Sequence, residues 1–331
     1  MIENNISVKD FERKPHLRLA ITSECNFNCI YCKSGGEGIK TSYEMPVDYF
    51  KKIAEMANEV GFTEIKITGG EPLLRQEKRE DVFELISFIS RDLNYRDIQM
   101  VVNGYYLSKY KSEILSCGLS SLTVSLDTSS PVKFHEITKV DAFSRVVEGI
   151  KALREGGIKV VLNCVLCQEN EKEIMELIHF ADDLKVNIKI LDCVDFQGQK
   201  TTYATYDKLY KQLRLKCGEP FWLLPPGGLG TPMRVYKNSN SDIVVKDARV
   251  GTNYNFSVCK ECEFFPCQDA MISLRITADG KMKRCLIRDD NLISLHEDIK
   301  NNDELSLREK LKQAYTLLIN STYCVNAWKP Q

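Results

Sequence analysis

The stretch Cys25-Asn26-Phe27-Asn28-Cys29-Ile30-Tyr31-Cys32 decides how the rest of the chain is interpreted. Three thiols lie close together, with three residues between the first two and two residues between the last two. A short loop with this spacing can close around one face of an iron–sulfur cube, which leaves the fourth iron open to another molecule. The alternative is a packed turn with three buried thiols, since free cysteine is often buried. The polar, asparagine-rich spacing disfavours that alternative.

Composition limits the classes of protein that fit. The chain has 331 residues, 13 of them cysteines, and a formal net charge of −1 at pH 7. A near-neutral charge offers no field for nucleic acid or a membrane surface, so neither is expected as a partner. The polar start and the lack of an apolar segment as long as a signal peptide or membrane span argue against a secreted disulfide framework. We therefore expect reduced or metal-bound thiols in a cytoplasmic protein.

Short apolar runs alternate with helical patterns through the first part of the chain. The predicted strands are residues 17–21, 64–68, 98–102, 122–126, 159–166 and 186–191. Parallel strands need crossover connections, and these six units are too few for the common eight-stranded closed barrel. The expected fold class is therefore α/β, a partial (β/α)6 TIM-like barrel. Its site should lie at the carboxyl ends of the strands, as in barrel enzymes generally.

The remainder of the chain predicts a C-terminal extension. We divide the chain into a barrel over residues 1–195 and an auxiliary-cluster region over residues 196–331. Residues 207–216 have a helical pattern, residues 220–232 form a predicted loop over the barrel mouth, and residues 305–318 predict a helix packed on the barrel. The glycine run inside that loop neither follows a clear strand nor opens a helix, so it is not assigned to phosphate binding.

A glycine pair follows the second predicted strand, in the sequence Gly69-Gly70-Glu71-Pro72. Two glycines at the end of a strand let the backbone come close to a ligand, although a plain strand-to-helix turn would have the same composition. Asn103, Ser125 and Asn163 lie at or near the ends of three further strands, on the same predicted rim. Each of these side chains could bind a ligand there or simply cap a turn.

A second group of cysteines lies towards the C-terminus and consists of Cys259, Cys262, Cys267 and Cys285. A predicted β-hairpin over residues 274–285, turning at Asp279-Gly280, would carry Cys285 back towards the other three. Four thiols in this grouping could hold zinc or a second [4Fe–4S] cluster. Because the N-terminal cysteines already indicate an iron–sulfur protein, we favour two clusters.

These motifs resemble the signature of the radical S-adenosylmethionine (SAM) enzymes. The resemblance implies a [4Fe–4S] cluster on Cys25, Cys29 and Cys32, whose fourth iron chelates SAM. The residues that it assigns to SAM binding are Tyr31, Gly69, Gly70, Glu71, Pro72, Asn103, Ser125 and Asn163. The implied activity is reductive cleavage of SAM to a 5′-deoxyadenosyl radical that abstracts hydrogen from a substrate. The electron would come from a partner such as flavodoxin or ferredoxin.

Over residues 15–290 the chain resembles more closely the MoaA-type GTP 3′,8-cyclases of molybdenum-cofactor biosynthesis. The shared motifs are Leu17-Arg18-Leu19, Thr68-Gly69-Gly70-Glu71-Pro72-Leu73-Leu74-Arg75, Asn103-Gly104-Tyr105, Val124-Ser125-Leu126-Asp127 and the hairpin that begins at Leu274. In that family basic side chains hold the triphosphate of GTP. The resemblance therefore makes Arg18, Lys66, Lys189 and Arg275 candidates for substrate binding, and the catalytic residue stays unassigned.

Several positions depart from the cyclase pattern. Cys267 adds a thiol between the cysteine pair and the hairpin, where it could fill the iron that would otherwise bind substrate. Glu64 stands where the family has a phosphate-facing lysine, and Ser273 replaces one arginine of a pair. A carboxylate facing a triphosphate is repulsive when desolvated. We therefore expect a MoaA-like enzyme of a biosynthetic pathway whose substrate is a small molecule or nucleotide other than GTP.

Alternatives remain at two levels. Within the enzyme class, GTP 3′,8-cyclisation itself and peptide modification by a radical SAM maturase both stay open. Outside that class, a two-cluster electron-transfer protein would leave the glycine loop and the barrel without a use. A zinc-stabilised nucleic-acid module conflicts with the neutral net charge.

Overall fold

The computed structural model describes residues 8–10, 15–193, 204–224, 233–247, 251–265, 267, 269 and 272–325. The strands, in chain order, are β1 (Val8–Asp10), β2 (His16–Ala20), β3 (Glu64–Thr68), β4 (Asp97–Val102), β5 (Ser121–Ser125), β6 (Lys159–Leu166), β7 (Asn187–Asp192), β8 (Phe221–Leu224), β9 (Met233–Lys237), β10 (Asp242–Lys246), β11 (Gly251–Tyr254), β12 (Ser273–Ile276), β13 (Lys281–Lys283), β14 (Ile293–Ser294) and β15 (Thr322–Val325). The helices are α1 (Val47–Val60), α2 (Pro72–Arg79), α3 (Val82–Asp92), α4 (Lys111–Ser116), α5 (Pro131–Thr138), α6 (Phe143–Glu155), α7 (Ile174–Asp183), α8 (Ala204–Cys217), α9 (Phe256–Cys259), α10 (His296–Lys300) and α11 (Glu304–Ile319).

Six parallel strands form the centre of the fold. β2 to β7 lie side by side in sequence order, each hydrogen-bonded to the next, and helices connect them. The α/β fold class with a partial parallel barrel is therefore confirmed. The order of the described strands begins at β1 and ends at β14, so the sheet has two edges.

The alternation of side chains along the central strands separates an apolar outer face from a polar inner face. In β4, for example, Ile98, Met100 and Val102 are buried in the core shared with the helices, whereas Asp97 and Gln99 line the interior. Successive residues of a strand point to opposite faces, so the helices cover one face only. The inner face is left open for a site.

The chain beyond residue 195, together with the N-terminal strand β1, adds strands at both ends of the same sheet. β10 pairs parallel with β7 and is followed outward by β9, β8 and β1, while β12 pairs parallel with β2 and is followed by β13 and β14. The predicted hairpin is confirmed, with Gly280 in the left-handed region at φ 81°. The boundary between two domains at residue 195 stays a prediction.

The prediction of a loop over residues 220–232 is wrong at its start. Phe221–Leu224 forms β8, which pairs antiparallel with β9, because four consecutive large apolar residues satisfy a sheet position better than an exposed turn. The rest of that segment, including the glycine run, lies outside the described residues.

Two helices that the sequence analysis did not predict, α2 and α5, begin at a proline. Their N-cap side chains, Glu71 and Ser130, accept hydrogen bonds from the backbone N–H of Leu73 and Lys133. Proline fits the first turn of a helix because the N–H that it lacks would have no partner there. The dipeptides Glu-Pro and Ser-Pro were therefore available signals for both helices.

The predicted tail helix is present as α11 and packs along α1. Its contact includes a T-shaped pair of aromatic rings, Phe62 and Tyr315, with centroids 5.0 Å apart. Gly61 ends α1 at φ 116°, and its backbone N–H returns to the carbonyls of Ala57 and Asn58. None of the described helices has both the length and the apolar character needed to cross a membrane.

Truncating a buried leucine of α11 tests whether this helix is part of the core. Leu311 is fully buried, so Leu311→Ala should lower the free energy of unfolding by about 2–5 kcal/mol. Leu305 on the same helix is 73% exposed, and Leu305→Ala should change it by less than about 0.5 kcal/mol. Urea unfolding of the reduced protein measures both. Equal effects from the two variants would contradict the docking of α11.

Candidate active site

The inner face of the six central strands surrounds a cavity of about 540 Å³. Of the predicted site residues, those that line it are Cys25, Cys29, Cys32, Tyr31, Gly69, Gly70, Asn103, Ser125, Asn163, Arg18, Lys66, Lys189 and Arg275. They come from the loop after β2, from the carboxyl ends of β3 to β6, and from the inner faces of β2, β3, β7 and β12. The fold therefore brings residues up to 257 positions apart in the sequence together around one space.

The loop that carries the first three cysteines is anchored on α5. The backbone N–H groups of Asn28 and Ile30 donate to the carbonyls of Thr138 and Ile137, each at 3.0 Å. Phe27, between the cysteines, packs edge-on against a neighbouring ring, Phe134, at a centroid distance of 5.8 Å. These contacts fix the loop while Cys25 and Cys32 stay accessible as residues at the cavity wall, where their thiols are partly desolvated.

The surroundings of the three thiols favour a bound cation. Burial raises the pKa of Cys25, Cys29 and Cys32, that of Cys32 to about 11, and each also feels repulsion from neighbouring negative charges. A bound cation offsets both effects, since metal ligation deprotonates a thiol outright. Thiolates that hold a cluster each bind their own iron, so they surround a cube rather than a point.

The glycine pair lies against the start of the cysteine loop. Gly70 and Glu71 donate their backbone N–H groups to the carbonyls of Thr22 and Glu24, at 2.8 and 2.7 Å. A Cβ on Gly69 would lie 2.3 Å from the Thr22 oxygen, and one on Gly70 would lie 2.0 Å from the Glu24 oxygen. Side chains are therefore excluded at both positions, because the two loops touch through their backbones.

Glu71 and Pro72 do not line the cavity. The Glu71 carboxylate accepts hydrogen bonds from the backbone N–H groups of Leu73, at 3.0 Å, and Asn103, at 2.6 Å. Burial raises the pKa of Glu71 to about 7. Pro72 is the buried first residue of α2. These two residues hold the glycine loop in shape, and their contact with SAM stays a prediction.

The three polar residues of the predicted rim all lie on the cavity wall. Asn103 follows β4, and its side-chain amide donates to Asn26 in the cysteine loop at 2.8 Å. Ser125 ends β5 and is paired in register with Asn163 of β6. The rim therefore joins the cysteine loop directly to the strand ends.

Tyr31 makes a contact that the sequence analysis did not foresee. Its hydroxyl donates to Asp127 at 2.6 Å, and the other carboxylate oxygen of Asp127 accepts from the backbone N–H of Val165 at 2.8 Å. Burial raises the pKa of Asp127 to about 6. Asp127 lies in the segment that follows β5, so its position after a predicted strand was the available signal.

The candidate substrate-binding arginines are already paired. Arg18 binds Glu37 at 2.6 Å, and Arg275 binds Asp269 at 2.5 Å. Neither carboxylate was predicted as a site residue, although Glu37 lies in a glycine-rich run directly after the cysteine loop. Glu64, which departs from the cyclase pattern, pairs with His16 at 2.5 Å in the same cavity.

The second cysteine group also comes together. Cys259, Cys262, Cys267 and Cys285 line one small pocket of about 20 Å³, which Asp269 and Arg288 share. The backbone N–H of Cys262 donates to the Cys259 carbonyl at 3.2 Å, which closes the turn between these two thiols. Asp269 also lines the large cavity, so the two spaces are neighbours.

Gly36 allows a test of the close packing between the loops. It has φ 62°, and a Cβ there would lie 2.0 Å from the carbonyl oxygen of Gly69. Gly36→Ala should lower the free energy of unfolding by about 2–5 kcal/mol, through backbone strain plus this overlap.

The matched control is Gly157→Ala, because Gly157 has φ 91° but nothing within 4 Å of its added Cβ. Gly157→Ala should lower the free energy of unfolding by the backbone strain alone, about 1–2 kcal/mol. Chemical denaturation measures both variants, and equal losses would show that Gly36 does not press on Gly69.

Comparison with known proteins gives the family. The model of the radical SAM superfamily matches residues 19–181. A probable GTP 3′,8-cyclase of Saccharolobus islandicus (strain M.14.25 / Kamchatka #1) is 30% identical over 309 residues, which cover 89% of this chain and 90% of that protein. A probable GTP 3′,8-cyclase of Sulfolobus acidocaldarius is 29% identical over 325 residues, with 92% and 91% covered.

Solved structures share the fold at lower identity. Streptococcus suis SuiB bound to S-adenosylmethionine matches with a TM-score of 0.61 at 15% identity over 87% of this chain, which spans 64% of that chain. Native anSMEcpe with bound AdoMet matches with a TM-score of 0.54 at 15% identity, covering 89% of this chain and 82% of that chain. With the fold, the cysteine loop and these relatives in agreement, the chain belongs to the radical SAM superfamily and, within it, to the same family as the GTP 3′,8-cyclases.

Proposed function

We propose that this radical SAM enzyme binds a [4Fe–4S] cluster through Cys25, Cys29 and Cys32 and abstracts a hydrogen atom from a small molecule held in the barrel cavity. The observation that carries the proposal is the single cavity of about 540 Å³ whose lining includes these three thiols and Gly69-Gly70. When bound, the cluster and SAM together supply the 5′-deoxyadenosyl radical. The polar inner face of the strands would hold the substrate next to it.

The residues of the chain supply binding, orientation and exclusion of water. Gly69 and Gly70 let the backbone come near SAM, while Asn103, Ser125 and Asn163 offer hydrogen bonds at the rim. Tyr31 is tied to Asp127, which would keep the cysteine loop in one arrangement relative to β5 and β6. Such fixed positioning matters because a primary alkyl radical reacts with whatever lies nearest.

The partner that supplies the electron is proposed to be a flavodoxin or a ferredoxin. A one-electron donor of this kind and a chain with 13 cysteines both fit the reducing cytoplasm.

Specific observations support two other candidate substrates, GTP and a peptide. The relatives at about 30% identity are named as probable GTP 3′,8-cyclases, which favours GTP. SuiB bound to its precursor peptide SuiA matches with a TM-score of 0.59 at 15% identity, a likeness of fold that keeps a peptide open. Against GTP stands Glu64, because its carboxylate lies in the cavity at a position where the cyclases have a lysine.

The first measurement is SAM cleavage by anaerobically reconstituted protein with dithionite. Wild-type protein should form 5′-deoxyadenosine, and Cys29→Ala should form none above the protein-free background, because one cluster ligand is lost. Cys217→Ala, which removes a thiol outside both cysteine groups, is the control and should behave like the wild type. Failure of cluster-replete wild-type protein to form 5′-deoxyadenosine would contradict the proposal.

The same assay with added GTP distinguishes the substrates. We expect no rise in 5′-deoxyadenosine and no cyclised nucleotide. A GTP-dependent rise with a cyclised product would instead identify the chain as a GTP 3′,8-cyclase.

We further propose that Cys259, Cys262, Cys267 and Cys285 bind a second [4Fe–4S] cluster. The shared pocket and the fixed turn between Cys259 and Cys262 support this set. With four thiolates the cluster would relay electrons, whereas with three it would keep an iron open for substrate.

Cys267→Ala decides between the two ligand sets. We expect the Mössbauer spectrum of the second cluster to change, because one iron loses its thiolate, while the content of acid-labile sulfide falls little or not at all. Cys217→Ala again serves as the control. An unchanged spectrum would remove Cys267 from the ligands.

A further inference from the structure

A carboxylate that the proposed mechanism does not use enters the cavity from the turn after the cysteine loop. Glu37 follows Gly35 and Gly36, whose φ values are 89° and 62°, and its backbone N–H donates to the carbonyl of Gly69 at 3.2 Å. The turn is closed by a hydrogen bond from Gly38 N–H to the Gly35 carbonyl at 3.1 Å. Glu37 is therefore held in place by the backbone, and its side chain lines the cavity.

The Glu37 carboxylate occupies the space between two arginines. Its oxygens accept from Arg18 at 2.6 and 2.8 Å and from Arg275 Nε at 3.3 Å. Thr68 also donates to it at 3.3 Å. Burial alone would raise the pKa of Glu37, but the charges of Arg18, Arg275 and Lys66 outweigh burial and lower the pKa. The carboxylate is therefore ionised at neutral pH.

Arg275 has a second carboxylate partner. Asp269 binds it at 2.5 Å and also accepts from the backbone N–H of Leu286 at 3.1 Å. Both carboxylates facing Arg275 are therefore fixed by the fold. An incoming anion would have to displace them or lie beside them, and either costs electrostatic free energy in a buried site.

The cavity as a whole offers little excess of positive charge to compensate. Among the described residues that line it, seven are lysine or arginine and six are aspartate or glutamate. A bound polyanion needs a clear excess of cations, since a buried charge without a partner is strongly unfavourable.

We propose that Glu37 determines the substrate class, by filling the space between Arg18 and Arg275 so that the cavity accepts a neutral or singly charged molecule and rejects a nucleoside triphosphate. The inference rests on the proposed function in taking this cavity as the substrate site. It adds the residue that selects the substrate and the charge that the substrate carries.

The test is the equilibrium binding of inorganic tripolyphosphate to the cluster-loaded protein, measured by anaerobic titration calorimetry. Glu37→Gln keeps the shape and one hydrogen-bond acceptor but removes the charge, so it should bind tripolyphosphate at least about tenfold more tightly than the wild type, or about 1.4 kcal/mol. GTP should show the same change. Glu136→Gln, which removes a carboxylate from the exposed side of α5, controls for net charge and should match the wild type.

Glu37→Asp provides the conservative variant. It keeps the charge on a shorter side chain and should still reject tripolyphosphate, which a merely structural role of Glu37 would not predict. Equal affinity in the wild type, Glu37→Gln and Glu136→Gln would overturn the proposal. If Glu37→Gln does not fold, the wild type alone still tests the proposal. Binding of tripolyphosphate or GTP to the wild type at micromolar concentration would contradict the proposal that the cavity rejects a triphosphate.

The outcomes also separate this inference from the proposed function. Binding of tripolyphosphate does not depend on SAM cleavage, so loss of 5′-deoxyadenosine formation would defeat the proposed function and leave the binding result standing. Conversely, tight triphosphate binding by a wild type that cleaves SAM would defeat only the role of Glu37.

Discussion

The close approach of three backbone segments is the constraint on which the rest of the site depends. Thr22 and Glu24, at the start of the cysteine loop, accept hydrogen bonds from the loop after β3, and the turn at Gly36 lies against the carbonyl of Gly69. Each contact is made where a side chain would not fit. The cysteine loop, the glycine loop and the turn that carries Glu37 therefore form one unit, and a shift in any of them displaces the others.

This unit lies on the wall of an interior that is unusual for a barrel. Barrel interiors are commonly filled with layers of branched aliphatic side chains, whereas the inner face of β2, β3 and β4 carries His16, Arg18, Lys66 and Gln99. Charged groups cannot collapse into a dry core without a desolvation cost that exceeds their attraction in most cases. They stay around an open space and are held in pairs such as His16 with Glu64 and Arg18 with Glu37. The polar interior is thus the physical reason that a cavity exists.

Local patterns in the sequence predicted the central strands well. The bounds of β3 and β6 agree with the predicted strands, since Gly69-Gly70 directly follows the alternating residues of β3 and Gly156-Gly157 shortly precedes the apolar run of β6. β8 was missed because its four apolar residues stand directly before a run rich in proline and glycine, and the whole segment was assigned to a loop. Its pairing partner β9 lies beyond that run, so no neighbouring pattern indicated the antiparallel pairing.

The site was predictable where chemistry is local and not where it depends on tertiary contacts. The cysteine spacing and the Gly69-Gly70 pair are complete within a few residues. The pairing of Arg275 with Glu37 joins positions 238 residues apart, and no local pattern reports such a contact. The sequence analysis therefore named the arginines as candidates for substrate binding and did not predict the carboxylates that pair with them.

The two cysteine groups are linked by a contact that bears on how they could act together. Lys33, next to Cys32, donates to the carbonyl of Leu286, next to Cys285, at 3.3 Å, and pairs with Asp289 at 3.4 Å. The contact therefore joins the residue after Cys32 to the residue after Cys285, at one side of the cavity. One lysine side chain thus ties the segment that carries Cys32 to the segment that carries Cys285. Such a tie favours a constant distance between the two groups, and hydrogen abstraction needs the reacting atoms within contact distance before the radical forms.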